Sequence, residues 1–293
     1  MNLLRGPGLL AAAVAYLVWG LFPLFWSLLD PVPTVQVLAH RAVWCAVSVW
    51  LLLALQGQAR WWRGLDGRTF GLLTVSTLLI SVNWGVFIYG VKTGHVLDTS
   101  LGYFVTPLFN IVFGVLLLRE RLGAWQWVAV ALAALGVGYL ALRVGSPPWI
   151  ALLLATSFAS YGLVRKLAVV DAVRGLTVES CLMLPLAVAY LLWCESQGTG
   201  AFAHGRTGID ALLIVGGAVT AVPLVLFAYA ARRVPLSTLG FIQYVAPTVQ
   251  LLLGVFVFHE HFGSAQIVAF ACIWGALVIV MLDGLRRWVA RRA

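Results

Sequence analysis

The stretch SLGYFVTPLFNIVFGVLLLRERL, from Ser100 to Leu122, returns in altered form from Thr238 to Phe262 as TLGFIQYVAPTVQLLLGVFVFHEHF. Pro107 and Pro247, Asn110 and Gln250, Gly114 and Gly254, and Glu120 and Glu260 match at an offset of 140 residues. Upstream, Tyr89 matches Tyr229 at the same offset while Leu101-Gly102 matches Leu239-Gly240 at 138, so short length changes intervene and cancel. One unit is used twice, and any fold for this chain has to place both copies.

Hydrophobic residues make up 62% of the chain and charged residues only 10%, against a charged share of about 25% in soluble domains. Apolar runs of roughly 18 to 25 residues recur, each long enough to cross a hydrocarbon core of about 30 Å as a helix. The ten-residue alternation of a membrane barrel is absent. An all-α integral membrane protein in contact with lipid follows. The net charge of +9 does not indicate nucleic acid, because the arginines stand singly or in twos between apolar runs and form no basic face. Cys45, Cys181, Cys194 and Cys272 fall inside apolar runs, with no CxxC and no histidine spacing for zinc. They read as buried apolar side chains, and no metal is expected. After Arg5 the apolar run continues from Leu9 to Leu29 without a small-residue cleavage site, which predicts a retained helix.

Ten spans are predicted: Leu9–Leu29, Thr34–Leu55, Phe70–Val91, Leu97–Leu118, Trp125–Leu142, Trp149–Val164, Thr177–Cys194, Asp210–Ala231, Ser237–Phe258 and Ser264–Leu282. Five fall in a first repeat, residues 1–145, and five in a second, 146–293. With the N-terminus inside, fifteen of the 19 Lys and Arg occupy cytoplasmic loops and tails, Lys92, Arg143 and Arg206 lie outside, and Arg41 lies within a span. That asymmetry predicts a bacterial inner-membrane orientation with both termini cytoplasmic. Because each repeat holds an odd number of spans, the second copy enters from the opposite face. The predicted architecture is ten transmembrane helices in two inverted-topology five-helix repeats, with a binding site near the midplane between the halves.

Pro107 and Pro247 each fall about 15 Å into their spans at a rise of 1.5 Å per residue. A proline frees a carbonyl, which lipid tolerates only where protein, water or ligand satisfies it. The pair therefore reads as a gating hinge, with a packing kink as the plain alternative, and Pro23 and Pro223 add two further expected breaks. His40, Arg41, Asn83 and Tyr103 share one depth in spans 2, 3 and 4. An intramembrane arginine normally faces a cavity or a bundle interior, so Arg41 reads either as a contact for an anionic substrate group or as a structural tie to Asp30 or Asp98. His40 is a candidate proton relay, against a neutral hydrogen-bonded histidine. Glu179, near the start of span 7, is a candidate proton-coupling acid, against a carboxylate placed at a helix N-terminus by the dipole. Glu120 and Glu260 end the repeated spans and read as caps for the starts of spans 5 and 10 or as residues that hold the turn, not as catalytic groups. Asn110, Gln243, Tyr244 and Gln250, with Trp19, Trp84, Tyr89, Tyr161 and Tyr229, suggest an amphipathic cavity rather than scattered interhelical glue. Gly20, Gly85, Gly114, Gly162 and Gly254 read as close helix contacts. There is no GxGxxG, P-loop, HExxH or GxSxG, so neither a cofactor nor catalytic residues are expected.

The segments AYLVWGLFPLFWSLL, VLAHRAVW, SVNWGVFIYG, SFASYGLVRK with GLTVE, and the repeated stretches ending in RERL and HEHF resemble the RarD (chloramphenicol-sensitivity) branch of the EamA family, within the drug/metabolite transporter superfamily. The similarity runs from about Pro7 to Leu282. It implies an inner-membrane permease, commonly an exporter of small metabolites or drugs, with a cavity lined mainly by spans 1, 3, 4, 6, 8 and 9. That adds weight to Trp19, Asn83, Trp84, Tyr103, Asn110, Tyr161 and Gln243. HEHF in the second copy departs from the family pattern and weakens a transport role for Glu260.

The expected function is secondary transport of a small amphipathic molecule by alternating access. A membrane-embedded lipid-handling enzyme or a non-transporting sensor is the alternative, although His95, Asp98, His204, His259 and His261 form no recognisable catalytic set. Reporter fusions at Ala293 and in the Gln56–Thr69 loop are both expected to report the cytoplasm. A periplasmic signal from either overturns the ten-span map.

Overall fold

Inside hydrocarbon each backbone N–H and C=O must find its partner within its own segment, so long apolar runs have no alternative to the helix. The computed structural model describes residues 7–57, 65–118, 123–144, 147–168, 170–231 and 242–290, and their regular structure is helical throughout. The helices are Pro7–Gly20 with Phe22–Ser27 (span 1), Thr34–Leu55 (span 2), Gly67–Lys92 (span 3), Val96–Leu118 (span 4), Ala124–Val144 (span 5), Trp149–Leu167 (span 6), Ala172–Ser196 (span 7), Thr207–Ala231 (span 8), Val245–Phe256 (span 9) and Ser264–Ala290 (span 10). These are ten transmembrane helices in two inverted five-helix repeats. Six contain apolar stretches of 20 to 26 residues, and the stretches 127–143, 149–165 and 245–256 are shorter.

The prolines divide by position. Pro23 sits in the first turn of Phe22–Ser27, just after the helix breaks at Leu21. Having no N–H, it frees the carbonyl of Trp19, and Gln250 Nε2 donates to that carbonyl at 3.2 Å. Pro247 lies in the first turn of Val245–Phe256, where a missing N–H costs least, and the chain turns at Tyr244 before it. Pro223, expected to break span 8, instead lies inside the continuous helix Thr207–Ala231. One absent donor leaves the ladder intact on both sides, and the helix resumes. Span 4 is helical across position 107, but the side chains of Pro107 and Asn110, and the whole of Glu120, lie outside the described residues.

Spans 1, 8, 2, 7, 3, 6, 4 and 9 pack in that order around a ring that closes from span 9 back to span 1. First-repeat and second-repeat members alternate at every position. Spans 5 and 10 pack on one another beside the ring and reach it at span 4. Exchanging the repeats converts contact 1·8 into 3·6, 2·8 into 3·7, and 4·6 into 1·9, while 2·7, 4·9 and 5·10 map onto themselves; all are present. The inverted duplication is thus a pseudo-two-fold in the packing as well as in the sequence. Small residues allow the close crossings. A Cβ at Gly102 would stand 2.8 Å from the carbonyl oxygen of Ala151 where spans 4 and 6 cross.

One end of the ring is sealed. Phe22, Trp26, Val37, Phe87, Val91 and Val96 join one apolar cluster there, and Lys92 Nζ donates to the carbonyl of Val32. Glu260 completes the seal across the repeats: Oε1 accepts from the N–H of Val96 at 2.5 Å and Oε2 from that of Leu97 at 2.8 Å. The carboxylate therefore caps the start of span 4, where unpaired N–H groups and the dipole favour an anion, and not the start of span 10 as the sequence suggested. His259, in the left-handed region at φ 52°, turns the chain back so that Glu260 meets the other repeat. Glu260→Ala should lower the stability of the purified protein by about 1–2 kcal/mol, the usual range for a lost charged cap. An unchanged midpoint in thermal unfolding would show that the contact adds nothing.

Candidate functional site

The centre of the ring is a cavity of about 540 Å³. All eight ring spans line it, and no described residue of spans 5 and 10 does. Among the described residues Arg41 represents span 2 and Leu176 span 7, so two spans join the six that the resemblance implied. At the sealed end the cavity stops at Phe22, Arg41, Phe87 and Tyr103. Toward the other end it reaches Arg165, two residues from the last residue of Trp149–Leu167, together with Leu176 and Phe227.

Trp19, Arg41, Asn83, Trp84, Tyr103, Tyr161, Gln243, Gln250 and Pro247 all line this cavity. His40 and Tyr244 do not. His40 is buried against Phe202, ring centroids 5.3 Å apart, and Tyr244 stacks on Phe104 at 6.2 Å. Successive helical residues point about 100° apart, so the cavity-facing Arg41 turns His40 away, and Gln243 does the same to Tyr244. The sequence reading missed Tyr16, Phe113, Phe158, Phe227 and Arg165, because it weighed polar and aromatic residues one at a time and placed Arg165 in a cytoplasmic loop. A periodic signal was present. Ile80–Asn83–Trp84–Phe87, Phe158–Tyr161–Gly162–Arg165 and Gln243–Ala246–Pro247–Gln250 each follow the i, i+3, i+4, i+7 spacing of one helix face. Gly162, read as a close helix contact, instead has nothing within 4 Å of where a Cβ would stand.

The polar groups of the wall differ in how they are satisfied. Asn83 is 1% exposed; its Nδ2 donates to the Leu154 carbonyl and Ser157 Oγ, each at 3.1 Å, and its Oδ1 accepts from the Tyr103 hydroxyl at 3.1 Å. It ties spans 3, 4 and 6 together. Glu179 is the eighth residue of Ala172–Ser196, about 10 Å along the helix. That depth removes the helix-dipole explanation for its presence. Its carboxylate accepts from Ser76 Oγ at 2.6 Å and from the Tyr161 hydroxyl at 3.4 Å, and Arg165 Nη1 stands 3.7 Å away. The acid lies just behind the wall formed by Tyr161 and Arg165.

Arg41 is 4% exposed. Its guanidinium carbon lies 4.0 Å from the ring centroid of Trp84, 5.0 Å from Trp26 and 5.6 Å from Phe22. Neither Asp30 nor Asp98 pairs with it, and among the described residues no carboxylate forms an ion pair with it. Nε and Nη1 have no hydrogen-bond partner.

A model of the EamA-like transporter family matches this chain twice, over residues 6–142 and 147–282. The chain belongs to the EamA-like transporter family. Each match spans one five-helix set, the duplication that the proline, glycine and glutamate pairs revealed. Similar proteins include an uncharacterized transporter of Pseudomonas aeruginosa, 45% identical over 97% of this chain and 96% of that one. They also include Protein RarD of Streptomyces exfoliatus, 46% identical over 98% and 91%, and Protein RarD of Escherichia coli, 42% identical over 95% of both. A solved crystal structure superposes with a TM-score of 0.63 at 18% identity, covering 95% of this chain and 98% of its own, a likeness of fold. Family members are multi-pass membrane transporters.

Asn83→Ala should leave the Tyr103 hydroxyl without its acceptor, remove the side-chain ties to span 6, and lower stability by about 2 kcal/mol. Thermal unfolding of the detergent-purified chain measures this. A loss under about 0.5 kcal/mol, the bottom of the range for a hydrogen bond, would mean that Asn83 does not hold the three spans together.

Proposed function

We propose that this protein is a secondary transporter of the bacterial cytoplasmic membrane, exporting a small amphipathic metabolite or drug-like molecule by alternating access. The observation that carries the reading is the single cavity enclosed by alternating members of both repeats, sealed at one end and continuous with the helix ends at the other. With both termini cytoplasmic, as the charge asymmetry indicates, the sealed end is external and the cavity admits cargo from the cytoplasm. Aromatic and apolar walls with few polar groups suit a cargo that is largely apolar with one or two orienting contacts. The repeats, residues 1–145 and 146–293, exchange roles between the two states, with the break around Tyr244–Pro247 and the proline at position 107 of the continuous span 4 acting as hinges.

The test is flux into proteoliposomes holding the purified chain, using a panel of labelled metabolites and drug-like compounds. Saturable flux of at least one compound is expected. Chemical conversion of a compound would replace this reading with the membrane enzyme, and binding without flux would replace it with the sensor. Pro107→Ala and Pro247→Ala are expected to slow flux more than they reduce protein in the membrane. Unchanged flux in both would leave these prolines as packing features.

A further inference from the structure

We infer that the cavity selects a small organic monoanion, its acidic group held by Arg41 and its apolar body lying against the aromatic walls. The inference rests on the transport reading and specifies its cargo. Three observations lead to it. First, Arg41 is a charge without a counter-charge: it lines the cavity, is 4% exposed, and has no acid partner among the described residues. Water can satisfy an N–H but does not neutralise a guanidinium, and a charge at this depth is costly without compensation. Second, the guanidinium is surrounded by rings. Trp84 lies 4.0 Å from it and Trp26 5.0 Å, contacts with π faces that steady a cation but supply neither a counter-charge nor an acceptor atom. Nε and Nη1 are buried and lack hydrogen-bond partners. An anionic group such as a carboxylate supplies both the charge and the acceptors that the aromatic box does not.

Third, the charge balance of the cavity sets the valence. Arg165, the other cation of the wall, faces the Glu179 carboxylate at 3.7 Å, so that pair is neutral together. One positive charge remains, at the sealed end. One negative charge on the cargo balances it, whereas a phosphate monoester at about −1.5 to −2 overshoots. The donors and the acceptor of Asn83 are already used within the protein, and Gln250 Oε1, the unpartnered polar atom of span 9, is a neutral acceptor that does not attract an anion. Arg41 is therefore the residue that selects the charge of the cargo.

The test measures binding in detergent, apart from flux, using the full-length chain and three probes of one shape: 3-phenylpropanoate, 3-phenylpropanamide and 3-phenylpropylamine. Calorimetric titration should show the acid binding wild-type protein at least tenfold more tightly than the amide, with the amine weakest. Arg41→Gln should bring acid and amide to within about twofold of each other, Arg41→Lys should retain part of the preference, and Arg165→Gln should keep it whole. Equal affinities of acid and amide for wild-type protein overturn the inference, as does a preference that survives in Arg41→Gln or disappears only in Arg165→Gln. Should Arg41→Gln fail to fold, the wild-type acid-to-amide ratio and the Arg165→Gln variant still decide. An acid preference without flux would retire the transport reading and leave this one standing; flux without the preference would do the reverse.

Discussion

Everything in this fold depends on the absence of water around its backbone. Ten helices satisfy that condition by closing their hydrogen bonds internally, and the informative places are those where they do not. At Pro23 the carbonyl of Trp19 is released, and Gln250 from the other repeat takes it at 3.2 Å. At Pro247 the helix restarts, and the carbonyl of Pro247 accepts from Ser100 Oγ at 2.7 Å. Both contacts cross from one repeat to the other. They join the halves at the places where spans 1 and 9 are interrupted, and Trp19 and Pro247 both line the cavity.

The alternating ring restricts how such a molecule can move. A chain of two five-helix repeats invites the picture of two blocks rocking against one another. Here the strongest packing lies between repeats, at 4·6, 2·7, 2·8, 3·6 and 5·10, so the halves cannot part without opening the ring. Motion that changes access must instead bend helices or shift groups mixing both repeats, which places the burden on the broken spans 1 and 9. Glu260, clamping the start of span 4 from the far repeat, lies where such a change at the sealed end must act.

Within the cavity, two cations are handled in opposite ways. Arg165 shares its charge with Glu179, which Ser76 and Tyr161 also support. Arg41 has only aromatic faces. Cation–π contact stabilises a guanidinium by about 2 kcal/mol when desolvated, well short of the cost of isolating a charge. The two cations thus differ in compensation: Arg165 has an acid beside it, and among the described residues Arg41 has none.

The sequence by itself determined the medium, the helical class, the duplication and the inversion, because these rest on composition, run length, a repeat offset and an odd helix count, all properties of the chain read along its length. It also marked part of the cavity wall: Trp19, Asn83, Trp84, Tyr103, Tyr161, Gln243 and Gln250 stand out as polar or aromatic residues in apolar runs. The tertiary structure alone decided which of two adjacent residues faces inward, so that Arg41 lines the cavity and His40 packs on Phe202. It decided that Glu260 caps span 4, that Glu179 lies a full two turns into its helix, and that Pro223 does not end one. It decided above all that no acid among the described residues pairs with Arg41. Each of these depends on the rotation of a helix about its axis and on which neighbour it meets, and in a ring of interleaved repeats such a neighbour can lie as far along the chain as Gln250 does from Trp19, 231 residues.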